Sequence, residues 1–357
     1  MKFFHLSDLH IGIKLYNRDL LEDQKIVLRQ IVEQAGKECP DAIVIAGDIY
    51  DKAIPSVEAV GVFDQFVRSL RKTVPNAVIM MISGNHDSAP RVNLYRNILE
   101  EQKIYMVGMP PQRPEEQIEK VTLQDAWGNV NFYLLPFVKP SMVKPVVGTE
   151  ENGNLLSYQE SLRRMMEREQ IREEERNVCV SHQFYLPVGT GAEQVQRMDS
   201  EICTVGNIDQ VSAEILKQFD YSALGHIHKP MKVGGDRIRY CGTPMQYSVS
   251  EAGQKKAILM VELKEKGTCS VTPIPLNAPH EVRIIKGELN EILKQECEDY
   301  VSVLLTDRMD LDICDMQDRL YTAFPNLLEI RRERWDRLDY EMADSQVEMD
   351  MDPYLLC

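Results

Sequence analysis

Five short polar motifs stand where apolar runs end, and that placement restricts the folds open to this chain. They are Asp8-Leu9-His10, Gly47-Asp48, Gly84-Asn85-His86-Asp87, Ser181-His182 and Gly225-His226-Ile227-His228. The runs before them, Phe3 to Leu6, Ala42 to Ala46, Val78 to Ile82, Val178 to Val180 and Tyr221 to Leu224, read as strands. In open α/β sheets, ligands bind beyond the carboxyl ends of the strands. Five such ends can therefore converge on one site. They would bring five of the chain's seven histidines there, together with carboxylates and an amide.

Composition narrows the function classes. The chain has 357 residues, room for one large domain and a smaller one. No apolar run approaches the roughly 20 residues needed to span a bilayer. The opening Met1-Lys2-Phe3-Phe4 has a signal-like look, but Asp8 and His10 cut its apolar region short. The eight cysteines are scattered with no Cys-x-x-Cys pair, which suggests neither a zinc ribbon nor a disulfide framework. A reduced cytoplasmic home and no membrane association are expected. The net charge of −15 is uneven: residues 277–357 carry 9 Lys+Arg against 20 Asp+Glu, and residues 1–276 carry 32 against 36. Such acidity argues against a basic DNA-wrapping protein. It does not argue against a metal-centred enzyme, because two bound divalent cations would offset a local excess of carboxylates.

Residues 1–135 alternate strand and helix signals. A helix is expected from about Asp19 to Lys37, with Leu20, Val27, Ile31 and Ala35 near one face. A second is expected after Pro55, capped by Ser56, with Val57, Val60, Val67 and Leu70 as its apolar stripe. Val121 to Leu123 and Val130 to Leu135 read as a β-hairpin about Trp127-Gly128-Asn129. Residues 137–156 read as a loop, and Leu155 to Arg176 as a solvated mixed-charge helix. Lys255–Leu263 and Thr268–Leu276 form a β-pair, and Pro273, Pro275 and Pro279 mark a domain boundary. Beyond it, five segments from Glu281 to Arg332 suggest a compact β-α-β-α-β unit. The expected division is a catalytic domain over 1–276, a small domain over 277–340 and an acidic tail over 341–357, disordered or the start of a docking segment.

Asp8-x-His10 and His226-x-His228 place alternate residues on one side of a strand exit. Either pair alone is weak, since an isolated His-x-His is more often structural and a Gly-Asp after a strand is commonly a turn. The combination carries the weight. Imidazole with carboxylate suits first-row divalent metals, and the missing thiolates argue against structural zinc. Seven candidate ligands, Asp8, His10, Asp48, Asn85, His182, His226 and His228, are too many for one ion. They suit two ions about 4 Å apart sharing one carboxylate. Asp48 is the natural bridge.

These residues resemble the calcineurin-like metallophosphoesterase signature, D-x-H, G-D, G-N-H-D, H, G-H-x-H, complete here in order and spacing. Within it the chain looks similar to the bacterial nuclease subunits that act in double-strand-break repair. That likeness includes Gly47-Asp48-Ile49-Tyr50-Asp51, Val205-Gly206-Asn207-Ile208-Asp209, Tyr240-Cys241-Gly242-Thr243-Pro244 and the stretch from Tyr247 to Lys256.

The resemblance implies a four-layer α/β/β/α sandwich with a small α+β C-terminal capping domain. It assigns a first metal to Asp8, His10, Asp48 and His228, and a second to Asp48, Asn85, His182 and His226. Manganese is implied as the active metal, with Fe²⁺ and Zn²⁺ also open and magnesium the poorer choice for a histidine-rich shell. The implied activity is cleavage of DNA phosphodiesters, exonucleolytic on duplexes and endonucleolytic on single strands and hairpins. His86 is then the candidate general acid, beside a ligand but not one itself, and Asp87 a candidate to orient its ring, with a plain structural role equally open.

Implied partners are DNA, a coiled-coil ATPase and a second copy of the chain. There is no G-x-x-x-x-G-K-[ST], so any ATP dependence comes from that partner. The family continues into a helix that docks on the ATPase arms, and this sequence stops near where that helix would begin. The Val57, Val60, Val67, Leu70 stripe could serve dimerisation, though intramolecular core explains it equally well. Arg91, Lys229, Lys255 and Lys256 could reach DNA phosphates, with surface solubility the commoner reason for such residues. Gly189-Thr190-Gly191 has the composition of a mobile loop. Two other readings stay open: a phosphodiesterase or phosphatase with a non-DNA substrate, and a scaffolding subunit with a dead centre.

Overall fold

The computed structural model describes residues 1–94, 96–189, 201, 209–307 and 313–333. The acidic tail over 341–357, residues 205–208 and the Thr190-Gly191 pair lie outside the described residues. Two compact units result, Met1–Val282 and Arg283–Cys357.

The first unit is built on two six-stranded mixed sheets. One runs in the order Cys269–Leu276, Lys256–Leu263, Lys2–Leu6, Ala42–Ala46, Val78–Ile82, Ile104–Val107. Its last four strands are parallel, and the Lys256–Leu263 strand pairs antiparallel on both sides. The other runs Met231–Lys232, Ile238–Tyr240, Tyr221–Gly225, Arg176–His182, Gly128–Leu135, Glu119–Asp125. Its four middle strands are parallel and its edges antiparallel. Parallel strands covered on both faces lack polar alternation, and Ala42–Ala46 and Val78–Ile82 are buried at every residue.

The two sheets share one core. Phe3, Val44 and Met80 of the first meet Phe132, Val180 and Tyr221 of the second. Phe3 packs edge-on against both Phe132 and Tyr221. Helices complete the outer layers. α1 (Leu21–Glu38) and α2 (Val57–Thr73) lie against each other, and α1 also meets the Cys269–Leu276 strand. On the far side, Val143 and Val147 of the Pro140–Val147 helix and Leu162, Met165 and Met166 of the Tyr158–Arg168 helix cover Tyr133, Leu135 and Cys179. This is the four-layer arrangement expected.

Three expectations need correction. The segment 137–156 holds a helix, because Pro140 sits at its first turn, where no amide hydrogen bond is lost. The Tyr158–Arg168 helix is not wholly solvated; its charges sit on one face and its Leu/Met face is buried. In α2, Ser56 does cap the helix, accepting from the Ala59 amide at 3.2 Å. Its buried face, however, is Ala59, Val62, Phe63, Phe66 and Leu70, while Val57 and Val60 are exposed. The two phenylalanines outweigh the valine stripe because aromatic side chains remove far more surface from water.

The second unit has strands Val282–Gly287, Tyr300–Leu305 and Leu327–Arg332 in that sheet order, the last two parallel. Helix Ile313–Ala323 contributes Met316, Leu320 and Ala323 to a core with Ile292, Val301, Val303 and Phe324. The β-α-β-α-β order is as expected.

Candidate metal centre

All five motifs meet at one end of the two sheets. The Lys2–Leu6, Ala42–Ala46 and Val78–Ile82 strands deliver Asp8 and His10, Asp48, and Asn85 and His86 respectively. The second sheet delivers His182 from Arg176–His182, and His226 and His228 just beyond Tyr221–Gly225. Backbone hydrogen bonds lock the first two loops together, from Asp8 N to Gly47 O (3.1 Å) and from His10 N to Asp48 O (3.0 Å). Asp8, His10, Asp48 and His226 all adopt left-handed φ values of 52°, 41°, 47° and 104°. Non-glycine residues hold such conformations only where the surroundings impose them.

Two glycines keep the space open. A Cβ on Gly47 would stand 2.2 Å from the His182 ring, and one on Gly84 would stand 2.1 Å from Asp48 Oδ1. Both sit in the motifs because no side chain fits there.

The ligand atoms of Asp8, His10 and His228 lie within 4.8 Å of one another, as do those of Asp8, Asp48 and His182. Asp48 Oδ2 stands 3.3 Å from His182 Nε2 and 3.6 Å from His10 Nε2, so the carboxylate reaches both groups. Asn85 Oδ1 lies 3.0 Å from His182 Nε2 and 2.8 Å from His226 Nδ1. The seven residues singled out from sequence are thus brought together. His182 Nδ1 donates to Ala46 O at 2.8 Å, which leaves Nε2 for the centre.

The residues fit a pair of divalent cations. Asp8 Oδ2 is buried without a hydrogen-bond partner among the described residues, while Oδ1 accepts from His226 N at 2.9 Å. His10 Nε2 and His228 Nε2 face each other at 3.1 Å, a juxtaposition of ring nitrogens that a bound cation would stabilise. Electrostatics point the same way. Burial pushes the Asp8 carboxyl up and holds the His10 imidazole well below its usual range. Burial opposes ionisation of Asp48, but the imidazoles of His182, His10 and His86 hold its carboxyl well below the ordinary value. Against its own burial, His182 is pushed up to about 9 by the Asp48 and Asp8 carboxylates. Asp8 and His182 thus gain proton affinity in the cluster, whereas His10 and Asp48 lose it.

His86 is half-buried, its ring edge-on to His10 at 4.7 Å and its Nδ1 hydrogen-bonded to Asp51 O at 2.9 Å. One of its ring nitrogens lies within 4.8 Å of ligand atoms of His10 and Asp48. Asp87 is not the group that orients this ring. Its Oδ2 accepts from the amides of Gly84 (2.9 Å) and Ile49 (3.0 Å), and its Oδ1 from that of Tyr50 (3.0 Å). It ties the third motif to the second instead.

Four contributors were not found from sequence. Gln24 Nε2 donates to the carbonyls of Leu9 (3.1 Å) and His10 (2.9 Å), and the Tyr247 hydroxyl donates to Leu9 O at 2.6 Å. Glu201 Oε1 accepts from His228 N at 2.8 Å, and the Glu251 carboxylate stands 3.6 Å from His228 Nδ1. Tyr247 and Glu251 lie in the Tyr247–Lys256 stretch singled out from sequence, but their roles, like those of Gln24 and Glu201, emerge only from tertiary contact. Lys256 departs from expectation: it is buried and ion-paired to Glu251, so it cannot reach a DNA phosphate, whereas Arg91, Lys229 and Lys255 are exposed.

Residues 1–230 match the family model of the calcineurin-like phosphoesterases. The chain belongs to that family. This phosphoesterase is therefore a hydrolase. It is 30% identical over 344 residues to the SbcD subunit of the SbcCD nuclease of Staphylococcus epidermidis, covering 94% of this chain and 86% of the relative, and it belongs to that subunit's family. Residues 278–354 match a second model, described as the type 5 capsule protein repressor C-terminal domain. Among solved structures, a Thermus thermophilus protein has 13% identity and a TM-score of 0.41, covering 76% of this chain and 98% of its own. A dimetal phosphatase from Danio rerio has 15% identity and a TM-score of 0.42, covering 77% and 96%. No described helix is long and apolar enough to cross a membrane.

Proposed function

We propose that this phosphoesterase is a metal-dependent DNA nuclease, a double-strand exonuclease and single-strand or hairpin endonuclease. It would act in repair and recombination with an SbcC-like coiled-coil ATPase. The observation that carries the reading is one buried carboxylate, Asp48, within reach of both His10 and His182, with Asp8 Oδ2 buried beside it and without a hydrogen-bond partner among the described residues. The SbcD-type likeness along 94% of the chain supports DNA as substrate.

In this reading Asp8, His10, Asp48 and His228 hold one ion, and Asp48, Asn85, His182 and His226 hold the other. The mixed oxygen and nitrogen donors favour Mn²⁺. Such a pair supplies an acidified water and neutralises charge developing at the phosphate. The chain's own residues do the rest. Ala46 O fixes the tautomer of His182. Asp51 O holds the His86 ring by Nδ1, so that Nε2 can protonate the leaving oxygen. Asp87 braces the loops that carry Asp48 and Asn85. The second unit is assigned to capping and substrate shaping, the exposed Val57–Val60 face of α2 to a homodimer, and the working place to the cytoplasm.

The test compares rates with Mn²⁺ on duplex DNA, a DNA hairpin, bis-p-nitrophenyl phosphate and a phosphopeptide. Cleavage of both DNA substrates is expected, abolished by chelation and restored by Mn²⁺. Turnover of the phosphopeptide without DNA cleavage would place the enzyme among phosphatases, and failure on every substrate would mark a dead centre.

A further inference from the structure

Behind the centre, the Tyr247–Lys256 stretch folds under the ligands of the first ion. Glu251 is fully buried and Lys256 nearly so, 0% and 5% exposed. Lys256 Nζ donates to Glu251 Oε2 at 2.6 Å, to Thr243 Oγ1 at 2.8 Å and to the His228 carbonyl at 3.1 Å. Glu251 Oε1 accepts from Ser248 Oγ at 3.0 Å and stands 3.6 Å from His228 Nδ1. One ion pair therefore grips His228 at its ring and at its main chain.

We propose that Glu251 and Lys256 are positioning residues for the first-ion ligand His228, forming a lysine–carboxylate–histidine–metal relay. The inference rests on the two-ion reading above. Energetics favour a purpose beyond stability. A buried ion pair often contributes no more than a well-packed apolar pair of the same volume, because desolvating both charges is expensive. At the metal end the pair has a use. A carboxylate on the far ring nitrogen fixes the tautomer and makes the imidazole a stronger donor. A backbone carbonyl does this more weakly, and His182 Nδ1 meets Ala46 O in that place. The two histidines are thus unequally supported at their far ring nitrogens. The same stretch steadies His10, since Tyr247 holds Leu9 O and its ring lies edge-on to the His10 ring at 5.8 Å.

The experiment uses the full chain and Mn²⁺ alone. Wild type, Glu251→Gln, Glu251→Asp and the charge-balanced Glu251→Gln/Lys256→Met are stripped of metal, checked by thermal melting, and titrated by equilibrium dialysis with electron paramagnetic resonance. Wild type should bind two ions and give an exchange-coupled multiline spectrum. Glu251→Gln and the double variant should lose about 10–100-fold in affinity at one site, and show a six-line mononuclear spectrum at limiting Mn²⁺. Glu251→Asp should recover part of that loss. Two ions bound at wild-type affinity in the folded double variant would overturn the proposal. So would a double variant that cannot fold without metal, which would assign the pair to the core. A wild-type chain binding no ion pair would overturn the two-ion reading as well, which keeps the two failures apart.

Discussion

Replacing Asp87 separates a bracing role from a chemical one. Its carboxylate receives three backbone amides, from Gly84, Ile49 and Tyr50, at a buried position. Alanine strands all three donors. At about 1–3 kcal/mol for each buried unsatisfied group, and with water reaching the half-buried Tyr50, the loss comes to about 3–6 kcal/mol. That is a large share of a domain's total stability, about 5–15 kcal/mol. An opposing effect depends on pH. Burial and the neighbouring Asp48 carboxylate raise Asp87 from 3.8 to about 6 in the metal-free fold. A carboxyl raised on folding favours the native state most below 3.8, and that advantage is lost as pH rises through about 6. The difference corresponds to roughly 3 kcal/mol. Asp87→Asn removes the charge and keeps one acceptor oxygen. Asparagine should therefore exceed alanine in stability at every pH and gain on wild type between pH 5 and 7.5. The assay is urea unfolding of chelator-treated protein by circular dichroism at both pH values, beside kcat at saturating Mn²⁺. If Asp87→Ala unfolded at the wild-type midpoint yet lost a hundredfold in kcat, bracing would be the wrong role.

His86→Ala should keep both ions by equilibrium dialysis while kcat falls about 10²–10⁴-fold; loss of an ion would instead make His86 a ligand. Gly84→Ala should abolish binding of the shared ion pair, since its Cβ would lie 2.1 Å from Asp48 Oδ1 and 2.4 Å from the Asp48 amide. Gly61→Ala serves as its control: nothing lies within 4 Å of that added Cβ in α2, and melting should rise by about 2 °C for a gain of about 0.5–1 kcal/mol. With the metal-free His182 pushed up to about 9, loading at pH 7.5 should release protons and affinity should climb with pH toward 9. Calorimetry in buffers of different ionisation enthalpy measures that release, and an enthalpy independent of buffer would contradict it.

The centre was legible because its chemistry lies at strand ends, where composition changes abruptly. Ala42–Ala46 and Val78–Ile82 coincide with the strands read from sequence. Other features depended on information that local pattern does not hold. Pro140 and Pro145 suggested a loop, yet the first sits where a helix tolerates proline, and Pro145 stands within the same helix. Both 57/60/67/70 and 59/62/63/66/70 are regular helical stripes, and only packing selects between them. Glu251 stood in the stretch that carries the family likeness with no role read for it, and Lys256 looked like a surface charge beside a motif. Their burial follows from how that stretch folds under His228, a tertiary fact without local periodicity.

The left-handed backbone at Asp8, His10, Asp48 and His226 has a consequence for anyone who would improve this enzyme. Each such residue stores about 1–2 kcal/mol, and the buried Asp8 and Asp48 carboxylates repel each other unless protons or cations intervene. Glycine at Asp8, His10 or Asp48 would relax the chain and discharge the site together. Selection on thermal tolerance alone would therefore drift toward sturdy, inert variants. A stabilisation campaign on this scaffold has to hold these four positions fixed and look for its gains elsewhere.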